Sequence, residues 1–253
     1  MNEAISSSGP SAYRVVVFGA TSAIAGHTLR SIASEREASF LLIGRNETHL
    51  SDTTADLISR GAEARWITAD LCDPLQDWDS YLKEDTWDLF LIAHGSLPDQ
   101  ESTLADRHAI GREIDINFIS PVRIAAACTR IIERQKSGTL AIFGSVAGDR
   151  GRQSNYLYGS TKAALEIFTE GLRHRLAPLS QASVVLLKPG MTDTPMTAGI
   201  RKGPLFSSAE SVGALAWRAI KRGSHVAYLP GWWRWLMITI RSLPFFVFSR
   251  TKL

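Results

Sequence analysis

Three residues within one stretch of the sequence, Ser145, Tyr158 and Lys162, could together protonate a carbonyl oxygen. Tyr158 and Lys162 are spaced i and i+4 and therefore lie on one face of a helix. A phenol with its ordinary pKa near 10 is a usable acid at neutral pH, and a neighbouring ammonium is expected to lower that pKa. The Ser145 hydroxyl can hold and polarise the carbonyl oxygen. The set supplies what the reduction of a ketone by hydride transfer needs: a proton donor, an electrostatic partner and a carbonyl holder.

The elements that must position these side chains alternate along the chain between strand-like runs and helix-like segments. The runs are continuously apolar, which is typical of strands buried on both faces. They cover residues 14–20, 38–45, 64–71, 88–95, 138–145, 182–190 and 225–231. Longer helical patterns lie near 104–135 and 156–177. This order predicts an α/β fold with a Rossmann-type, doubly wound parallel sheet of seven strands and helices on both faces. In such sheets ligands bind beyond the carboxyl ends of the strands.

Charge is distributed unevenly along a chain whose composition is otherwise ordinary, with 45% hydrophobic and 21% charged residues. Residues 1–194 hold 19 basic and 24 acidic residues, whereas the rest of the chain holds nine basic residues and a single acidic one, Glu210. Such asymmetry indicates a polyanionic or membrane partner.

We predict one domain over residues 1–231, of which residues 1–12 form a flexible leader, followed by an aromatic and basic tail over residues 232–253. The N-terminus lacks an apolar segment, so we expect no signal peptide. Cys72 and Cys128 are too few for a metal site or a disulfide framework and fit a reducing compartment.

A glycine turn follows the first predicted strand, in the sequence GATSAIAG from Gly19 to Gly26. Such a turn can present backbone N–H groups and a helix N-terminus to a pyrophosphate. Ala23 and Ala25 stand at intermediate positions where small residues are needed. A turn that merely lets a helix pack on a strand fits the sequence equally well.

Two further residues follow the second and third predicted strands. A basic residue after the second strand, here Arg45, suits the 2′-phosphate of NADP(H), although it could also be a solvated loop residue. Asp70, after the third strand, could accept a hydrogen bond from an adenine amino group or cap the next turn. We therefore favour NADP(H) as the cofactor, with NAD(H) as the alternative.

Taken together, the sequence resembles the short-chain dehydrogenases/reductases over nearly its whole length. The resemblance rests on Gly19 and its turn, Asp70, Asn117 in EIDINFIS, Ser145, Tyr158-x-x-x-Lys162 and KPGMTDT at 188–194. It implies that Tyr158 is the general acid/base, that Lys162 binds the nicotinamide ribose and that Ser145 orients the carbonyl. It also implies that Asn117 bends its helix and holds a relay water.

The same resemblance implies a cofactor site along the strand ends. Pro189 and Gly190 would shape the nicotinamide pocket, with Thr192 and Thr194 near the carboxamide and phosphates. The complete set of predicted cofactor residues is Gly19, Thr21, Ser22, Ala23, Ile24, Arg45, Asp70, Leu71, Ala93, Gly95, Tyr158, Lys162, Pro189, Gly190, Thr192 and Thr194.

The sequence departs from the family pattern at two places. Only the first glycine of the turn is kept, and the usual Asn-Ala-Gly after the fourth strand is Ala93-His94-Gly95. We interpret His94 as structural.

Within the family, the stretch SVAGDRGRQSNYLYGSTKAAL and the tail are similar to the reductase partner of the decaprenylphosphoryl-ribose epimerase system. That resemblance implies reduction of a 2-keto sugar on a polyprenyl phosphate after a flavin oxidase has formed the ketone. Arg150 and Arg152, in the loop before Tyr158, are candidates for holding the lipid phosphate, since arginine suits phosphodiesters. A pair of solvated loop arginines is the alternative.

The tail itself is predicted to lie in a membrane interface. Its apolar stretch is interrupted by Arg241 and Pro244 and is shorter than the roughly 20 residues that a spanning helix needs. Tryptophans at the boundary and arginines near phosphates fit an interfacial segment. On a helical wheel one side holds Trp232, Trp235, Leu236, Ile240 and Leu243. A tail packed over the substrate pocket or on a neighbouring subunit is the alternative.

These features predict a cytoplasmic reductase bound peripherally to the inner face of the cell membrane, with no metal and no nucleic-acid partner. By analogy with the fold we expect a homodimer or homotetramer. Two other functions remain open: a soluble reductase of a small or steroid-like ketone, and a nucleotide-sensing scaffold bound to a partner oxidase. The intact Ser-Tyr-Lys set argues against the scaffold, because a sensor needs no proton donor.

Overall fold

The computed structural model describes residues 12–83 and 85–251, so the predicted leader, except for its last residue, and the end of the tail lie outside the described residues. Its principal feature is a seven-stranded parallel sheet in the order β3-β2-β1-β4-β5-β6-β9. Those strands are β1 Tyr13–Phe18, β2 Ala38–Gly44, β3 Glu63–Thr68, β4 Leu89–Ile92, β5 Ser137–Phe143, β6 Gln181–Pro189 and β9 Val226–Leu229. A separate pair of short parallel strands consists of β7 Thr192–Asp193 and β8 Ser207–Ser208. The predicted sheet is confirmed.

Each predicted strand ends one to three residues earlier in the structure than in the sequence pattern. The residues left over, such as Gly19, Arg45 and Ser145, belong to the loops at the carboxyl edge of the sheet. The sequence pattern overestimates the strands because most of these loop residues are small or partly buried, although Arg45 is exposed. The carboxyl edge of the sheet, where ligands bind, therefore begins where the hydrogen bonds between neighbouring strands end.

Helices cover both faces of the sheet because alternate strand residues point to opposite sides. In β1, Val15 and Val17 join one buried cluster, and Val16 and Phe18 join the other. The first cluster includes residues of the helices Ala23–Glu35 and Ala209–Lys221, and the second includes residues of Trp78–Leu82, Ser120–Gln135 and Tyr156–Leu176. The helices are α1 Ala23–Glu35, α2 Glu47–Ser59, α3 Trp78–Leu82, α4 Gln100–Ala105, α5 Arg107–Ile114, α6 Ser120–Gln135, α7 Tyr156–Leu176, α8 Ala209–Lys221, α9 Trp233–Ser242 and α10 Phe245–Phe248.

The long helical pattern predicted near 104–135 is interrupted in the structure. Asp106 has extended backbone angles and caps α5, so the chain breaks between α4 and α5. A π-helical turn over Asp115–Ile119 then joins α5 to α6. Such turns widen the backbone and frequently occur at functional sites.

The predicted tail forms two short helices, α9 and α10, between residues 233 and 248. The inner side of α9 packs on the body as a third buried cluster that contains Trp233, Met237, Ile240 and Val146. The predicted helical wheel is wrong for Ile240, which is 6% exposed and faces the body. Over the described parts of the chain, no helix combines the length and apolar character needed to cross a membrane.

Candidate active site

The glycine turn after β1 is shaped by its contact with the end of β4. Gly19 has a φ of +86°, and a Cβ atom there would lie 2.5 Å from the backbone nitrogen of His94. Glycine alone fits both the left-handed backbone and this close approach. Ser22 follows as the N-cap of α1 and accepts a hydrogen bond from the Ala25 amide at 3.4 Å. The turn thus leads directly into a helix N-terminus, where unpaired N–H groups favour an anion.

A cavity of about 290 Å³ opens at this turn and gathers most of the predicted cofactor residues. The predicted residues in its lining are Gly19, Thr21, Ser22, Ala23, Ile24, Arg45, Asp70, Leu71, Ala93, Gly95 and Thr194. It is also lined by Gly44, Cys72, Ile116, Pro195 and Met196, which the sequence did not single out. Small residues, a helix N-terminus and a guanidinium fit the adenosine and diphosphate part of a nicotinamide dinucleotide.

The two residues of uncertain role after β2 and β3 both line this cavity. Arg45 is exposed in the loop that follows β2. Asp70 accepts a hydrogen bond from the Cys72 amide at 3.0 Å, which is the turn-capping role considered as an alternative. Its contact with adenine stays a prediction.

His94, at the departure from the family pattern, is partly buried and lies in a chain of polar groups. Its Nε2 lies 2.9 Å from the Ser120 hydroxyl, which in turn donates to the Leu71 carbonyl at 2.5 Å. Because the Ser120 hydroxyl hydrogen already forms the bond to Leu71, the Ser120 oxygen acts as acceptor toward His94. The His94 Nε2 therefore carries the imidazole hydrogen and donates it to Ser120. Burial, with the charges of Lys162 and Arg45, lowers the pKa of His94 to about 3. The imidazole is therefore neutral at physiological pH.

Two glycines allow the 3₁₀ helix after Ser145, over Val146–Asp149, to press against α7. A Cβ at Gly148 would lie 2.8 Å from the backbone of α7, and one at Gly159 would lie 2.8 Å from the carbonyl oxygen of the 3₁₀ helix. Neither position has room for a side chain. The Ser145 oxygen accepts from the Ala147 amide at 3.1 Å, and the Ser145 side chain lies close enough to Tyr158 to lower the pKa of its phenol. In the sequence, Gly148 and Gly159 are the signal for the contact between the 3₁₀ helix and α7.

The electrostatics of Tyr158 differ from the sequence prediction. Burial raises the pKa of the phenol, and the opposing hydrogen bond from Ser145 is the smaller effect. Burial also lowers the pKa of Lys162 to about 8. The Lys162 Nζ lies 5.6 Å from the Tyr158 ring centroid and donates to the Phe143 carbonyl at 3.3 Å. Desolvation of Tyr158 thus raises its pKa, in contrast to the lower pKa expected from the Lys162 ammonium. Tyr158 therefore stays protonated at neutral pH and can act as an acid.

Asn117 is fully buried in the π-helical turn and is fixed by three partners. Its Nδ2 donates to Glu113 at 3.1 Å and to Ser96 Oγ at 3.0 Å, and its Oδ1 accepts from the Ser96 amide at 3.1 Å. A Cβ at Gly95 would lie 3.0 Å from that Oδ1 and 3.5 Å from the Lys162 Nζ. Asn117 and Lys162 therefore approach the same point. Glu113 and Ser96 were not predicted, since their role appears only when the strand end meets the helix.

The predicted nicotinamide end of the site lies at the carboxyl end of β6. A Cβ at Gly190 would lie 1.8 Å from the Trp233 Nε1, so the indole of the tail rests directly on this glycine. Thr192 is buried, and its hydroxyl donates to the Gly190 carbonyl at 3.1 Å. Pro189 immediately precedes Gly190 as the last residue of β6. The Trp233 N–H is buried with no hydrogen-bond partner among the described residues.

The two candidate phosphate-binding arginines have different surroundings. Arg150 is engaged by the tail: its guanidinium donates to the carbonyls of Ile240, of Arg241 at 3.2 Å and of Leu243 at 2.8 Å. Its Cζ also lies 3.8 Å from the Phe248 ring centroid. These contacts occupy the face that would have met a lipid phosphate, and they fasten the end of α9 to the loop before Tyr158.

Arg152 is two residues further along the same loop. Its Nε is buried without a hydrogen-bond partner among the described residues. Burial lowers the pKa of its guanidinium, while the Asp149 carboxylate acts in the opposite direction. An incompletely paired, partly buried guanidinium is the kind of group that an anionic ligand would satisfy.

The sheet order and the Ser-Tyr-Lys arrangement define the class of protein. The model of the short-chain dehydrogenase family matches residues 13–204, more than half of the chain. The chain therefore belongs to the short-chain dehydrogenase family and is an oxidoreductase. The match ends before α8, so the tail lies outside the family pattern.

Relatives of similar length support the same assignment. An uncharacterized oxidoreductase of Mycobacterium tuberculosis is 31% identical over 242 residues, covering 93% of this chain and 96% of the relative. An uncharacterized oxidoreductase of Streptomyces coelicolor is 30% identical over 242 residues, covering 93% and 94%.

Solved structures share the fold at low identity. A short-chain dehydrogenase from Sphingobium yanoikuyae in complex with NADPH has a TM-score of 0.78 at 22% identity, covering 94% of this chain and 96% of that one. A 3-oxoacyl-[acyl-carrier protein] reductase from Brucella melitensis with bound NAD has a TM-score of 0.72 at 20% identity, covering 87% and 90%.

Proposed function

We propose that this chain is an NADPH-dependent reductase that converts a keto group into a secondary alcohol. The observation that carries the proposal is the contact of Ser145 with a Tyr158 whose pKa is raised, one helical turn from Lys162. A proton donor that stays protonated at neutral pH suits reduction, because the developing alkoxide needs a proton.

In this proposal a bound dihydronicotinamide supplies the hydride to the carbonyl carbon. Ser145 donates a hydrogen bond to the carbonyl oxygen, and Tyr158 transfers its phenolic proton to that oxygen as it becomes an alkoxide. Lys162 stabilises the resulting phenolate with its positive charge. Asn117, held by Glu113 and Ser96, keeps its amide near Lys162, on the side from which a proton would return to Tyr158. The products are an alcohol, an oxidised cofactor and the Tyr158 phenolate, and charge and atoms balance when a proton from solvent restores the phenol.

The preference for NADPH rests on Arg45 at the edge of the cavity. A guanidinium there pairs with a 2′-phosphate, whereas an NAD-preferring site in this fold usually has a carboxylate. Structures of the same fold have been solved with NADPH and with NAD, so the preference comes from this residue alone.

For the substrate we propose a 2-keto pentose linked to a polyprenyl phosphate, formed by a flavin-dependent oxidase in a two-step epimerisation for envelope glycans. Two features support it. Arg152 offers an incompletely paired guanidinium in the loop that precedes Tyr158, and the apolar tail lies beside Gly190, where a prenyl chain could bind. Arg152, rather than Arg150, would bind the phosphate. Association with the oxidase and a homodimeric or homotetrameric state stay predictions.

The direct test is oxidation of NADPH in a mixture of this protein, a flavin oxidase and polyprenyl-phosphoryl ribose. Tyr158→Phe should lower the rate roughly 10²- to 10⁴-fold, the usual contribution of a general acid, while NADPH binding by fluorescence titration stays within twofold. Undiminished turnover by this variant would refute the assigned role of Tyr158.

The substrate is tested separately through Arg152. Arg152→Ala should raise the KM for the polyprenyl-phosphate substrate about tenfold or more and leave the KM for a phosphate-free keto sugar unchanged. If both KM values stay at the wild-type level, the proposed phosphate contact is wrong. A reductase of small or steroid-like ketones would turn over such ketones readily and ignore the phosphorylated lipid.

A further inference from the structure

The tail presents two different faces, one packed on the body and one exposed. On the inner side of α9, Trp233, Met237 and Ile240 recur at helical spacing and are buried. The outward residues of the tail are large and apolar, and their exposure reaches 70% for Trp235 and 78% for Phe245. The exposed set is Trp232, Trp235, Ile238, Phe245, Phe246 and Val247, which we call the outer tail face.

Exposed apolar side chains are most concentrated in the tail. Elsewhere in the described chain most large exposed apolar residues are dispersed, as with Ile58, Leu75 and Ile167, and the smaller group Met196, Ile200 and Leu205 contains no aromatic residue. Single exposed apolar residues need no explanation, whereas a contiguous set marks an interaction surface. The outer tail face is such a set, because its members lie within sixteen residues of one another in two adjoining helices.

The charged residues around the outer tail face indicate what kind of partner it would bind. Arg234, Arg241 and Arg250 are exposed in the same two-helix segment, and the sequence contains no acidic residue after Glu210. Among the described residues none of these three guanidinium groups forms a salt bridge. Exposed tryptophan and phenylalanine flanked by unpaired arginines complement the apolar–phosphate boundary of an anionic lipid surface. A second copy of the tail would meet this face with like charge.

We propose that the outer tail face docks on an anionic membrane surface and lies in its interface. The helices are too short to span a bilayer, so the aromatic side chains enter the headgroup boundary while the arginines pair with lipid phosphates. The proposal stands on the tail alone and does not require the substrate to be a lipid.

The inner contacts of the tail give this docking a consequence for the active site. Arg150 fastens the carboxyl end of α9 to the loop before Tyr158, and Trp233 at its amino end rests on Gly190. The helix therefore connects the two walls of the proposed substrate site. A membrane bound to the outer side of α9 lies against the element that covers this site, which places the site within reach of a membrane-held molecule.

The test is co-sedimentation of the full chain with two kinds of vesicle, phosphatidylcholine alone and phosphatidylcholine with phosphatidylglycerol. We expect binding to the anionic vesicles at least tenfold stronger than to the neutral ones. A triple variant, Trp235→Ser with Phe245→Ser and Phe246→Ser, should lose at least tenfold in binding to the anionic vesicles. Arg234→Gln with Arg241→Gln should remove most of the difference between the two vesicles.

A matched control replaces exposed apolar residues of the body, Ile58→Ser with Leu75→Ser, and should bind vesicles like the wild type. NADPH titration and thermal unfolding of every variant report whether it is folded. Equal sedimentation of the triple variant and the wild type would overturn the proposal, as would absence of binding by the wild type. A wild-type oligomer that dissociates in the triple variant, without vesicle binding, would instead identify the face as a contact between copies. Because vesicle binding needs no turnover, this result is independent of the assay for the proposed reaction.

Discussion

The two halves of the proposed cleft are built from different kinds of structure. At the β1–β3 side, strand ends and a glycine turn leave an open cavity lined by Gly19, Arg45 and their neighbours. At the β5–β6 side, the tail covers the strand ends, with Trp233 on Gly190 and Arg150 bonded to the end of α9. The first half lies within the region that matches the family, and the covering element of the second lies outside it. We therefore expect cofactor binding to use the framework that the family model covers, and substrate selection to depend on a segment beyond that match.

The covered half should depend most strongly on Lys188, which is 1% exposed at the end of β6. Its ammonium pairs with Asp149 of the 3₁₀ helix and with Glu166 of α7, and Asp149 also accepts from the Tyr228 hydroxyl at 2.9 Å. Burial opposes the charge, but the hydrogen bonds to both carboxylates outweigh it and raise the pKa of Lys188. Lys188→Ala should cost about 3–5 kcal/mol of unfolding free energy, because it leaves the buried Asp149 carboxylate without a cation.

Urea denaturation measures this loss. Lys202→Ala is the control, since Lys202 forms an exposed ion pair with Asp193 that should contribute less than about 1 kcal/mol. Similar losses in the two variants would mean that the buried pair has no special part in holding the covered half together.

The open half should respond to Arg45 by changing cofactor choice. Arg45→Ala removes a charged hydrogen-bond partner of the 2′-phosphate, so the Kd for NADPH should rise roughly tenfold to hundredfold. The Kd for NADH should change less than twofold. Fluorescence titration with both cofactors measures the effect, and Arg222→Ala, an exposed residue at the end of α8, is the control. Parallel loss of affinity for both cofactors would contradict a 2′-phosphate contact.

Both halves meet at Lys162, whose titration should limit the reaction at high pH. Burial lowers its pKa to about 8, so the ammonium is mostly charged below that pH and is lost as the pH rises above it. Tyr158, whose pKa is raised, keeps its proton over the same interval. We expect kcat/KM for reduction to fall toward tenfold per pH unit above about pH 8. A profile from pH 6 to 10 that stays flat would show that the Lys162 charge is not required.

The sequence predicted the sheet, its seven strands and the spacing of Tyr158 and Lys162, because these follow from local periodicity. It could not predict that burial dominates the pKa of Tyr158, since desolvation depends on packing from distant elements. It also could not separate Arg150 from Arg152. Their surroundings differ only because α9 returns about ninety residues later to bond one of them. The same limit applies to Glu113, which becomes relevant only when the end of β4 meets the π-helical turn.

The smallest predicted effect tests whether the covered half is closed by the Arg150 contacts. Arg150→Ala removes the donor that satisfies the last carbonyls of α9, so the tail should detach more often and tryptic cleavage after Arg241 should accelerate roughly fivefold to tenfold. Arg152→Ala, in the same loop but without a bond to the tail, should leave the cleavage rate unchanged. Such a result would assign the two arginines to separate tasks, one in fastening the tail and the other in facing the ligand. Equal cleavage of both variants and the wild type would mean that the inner apolar contacts of α9 hold the tail without Arg150, and the cover would then be a fixed wall of the site.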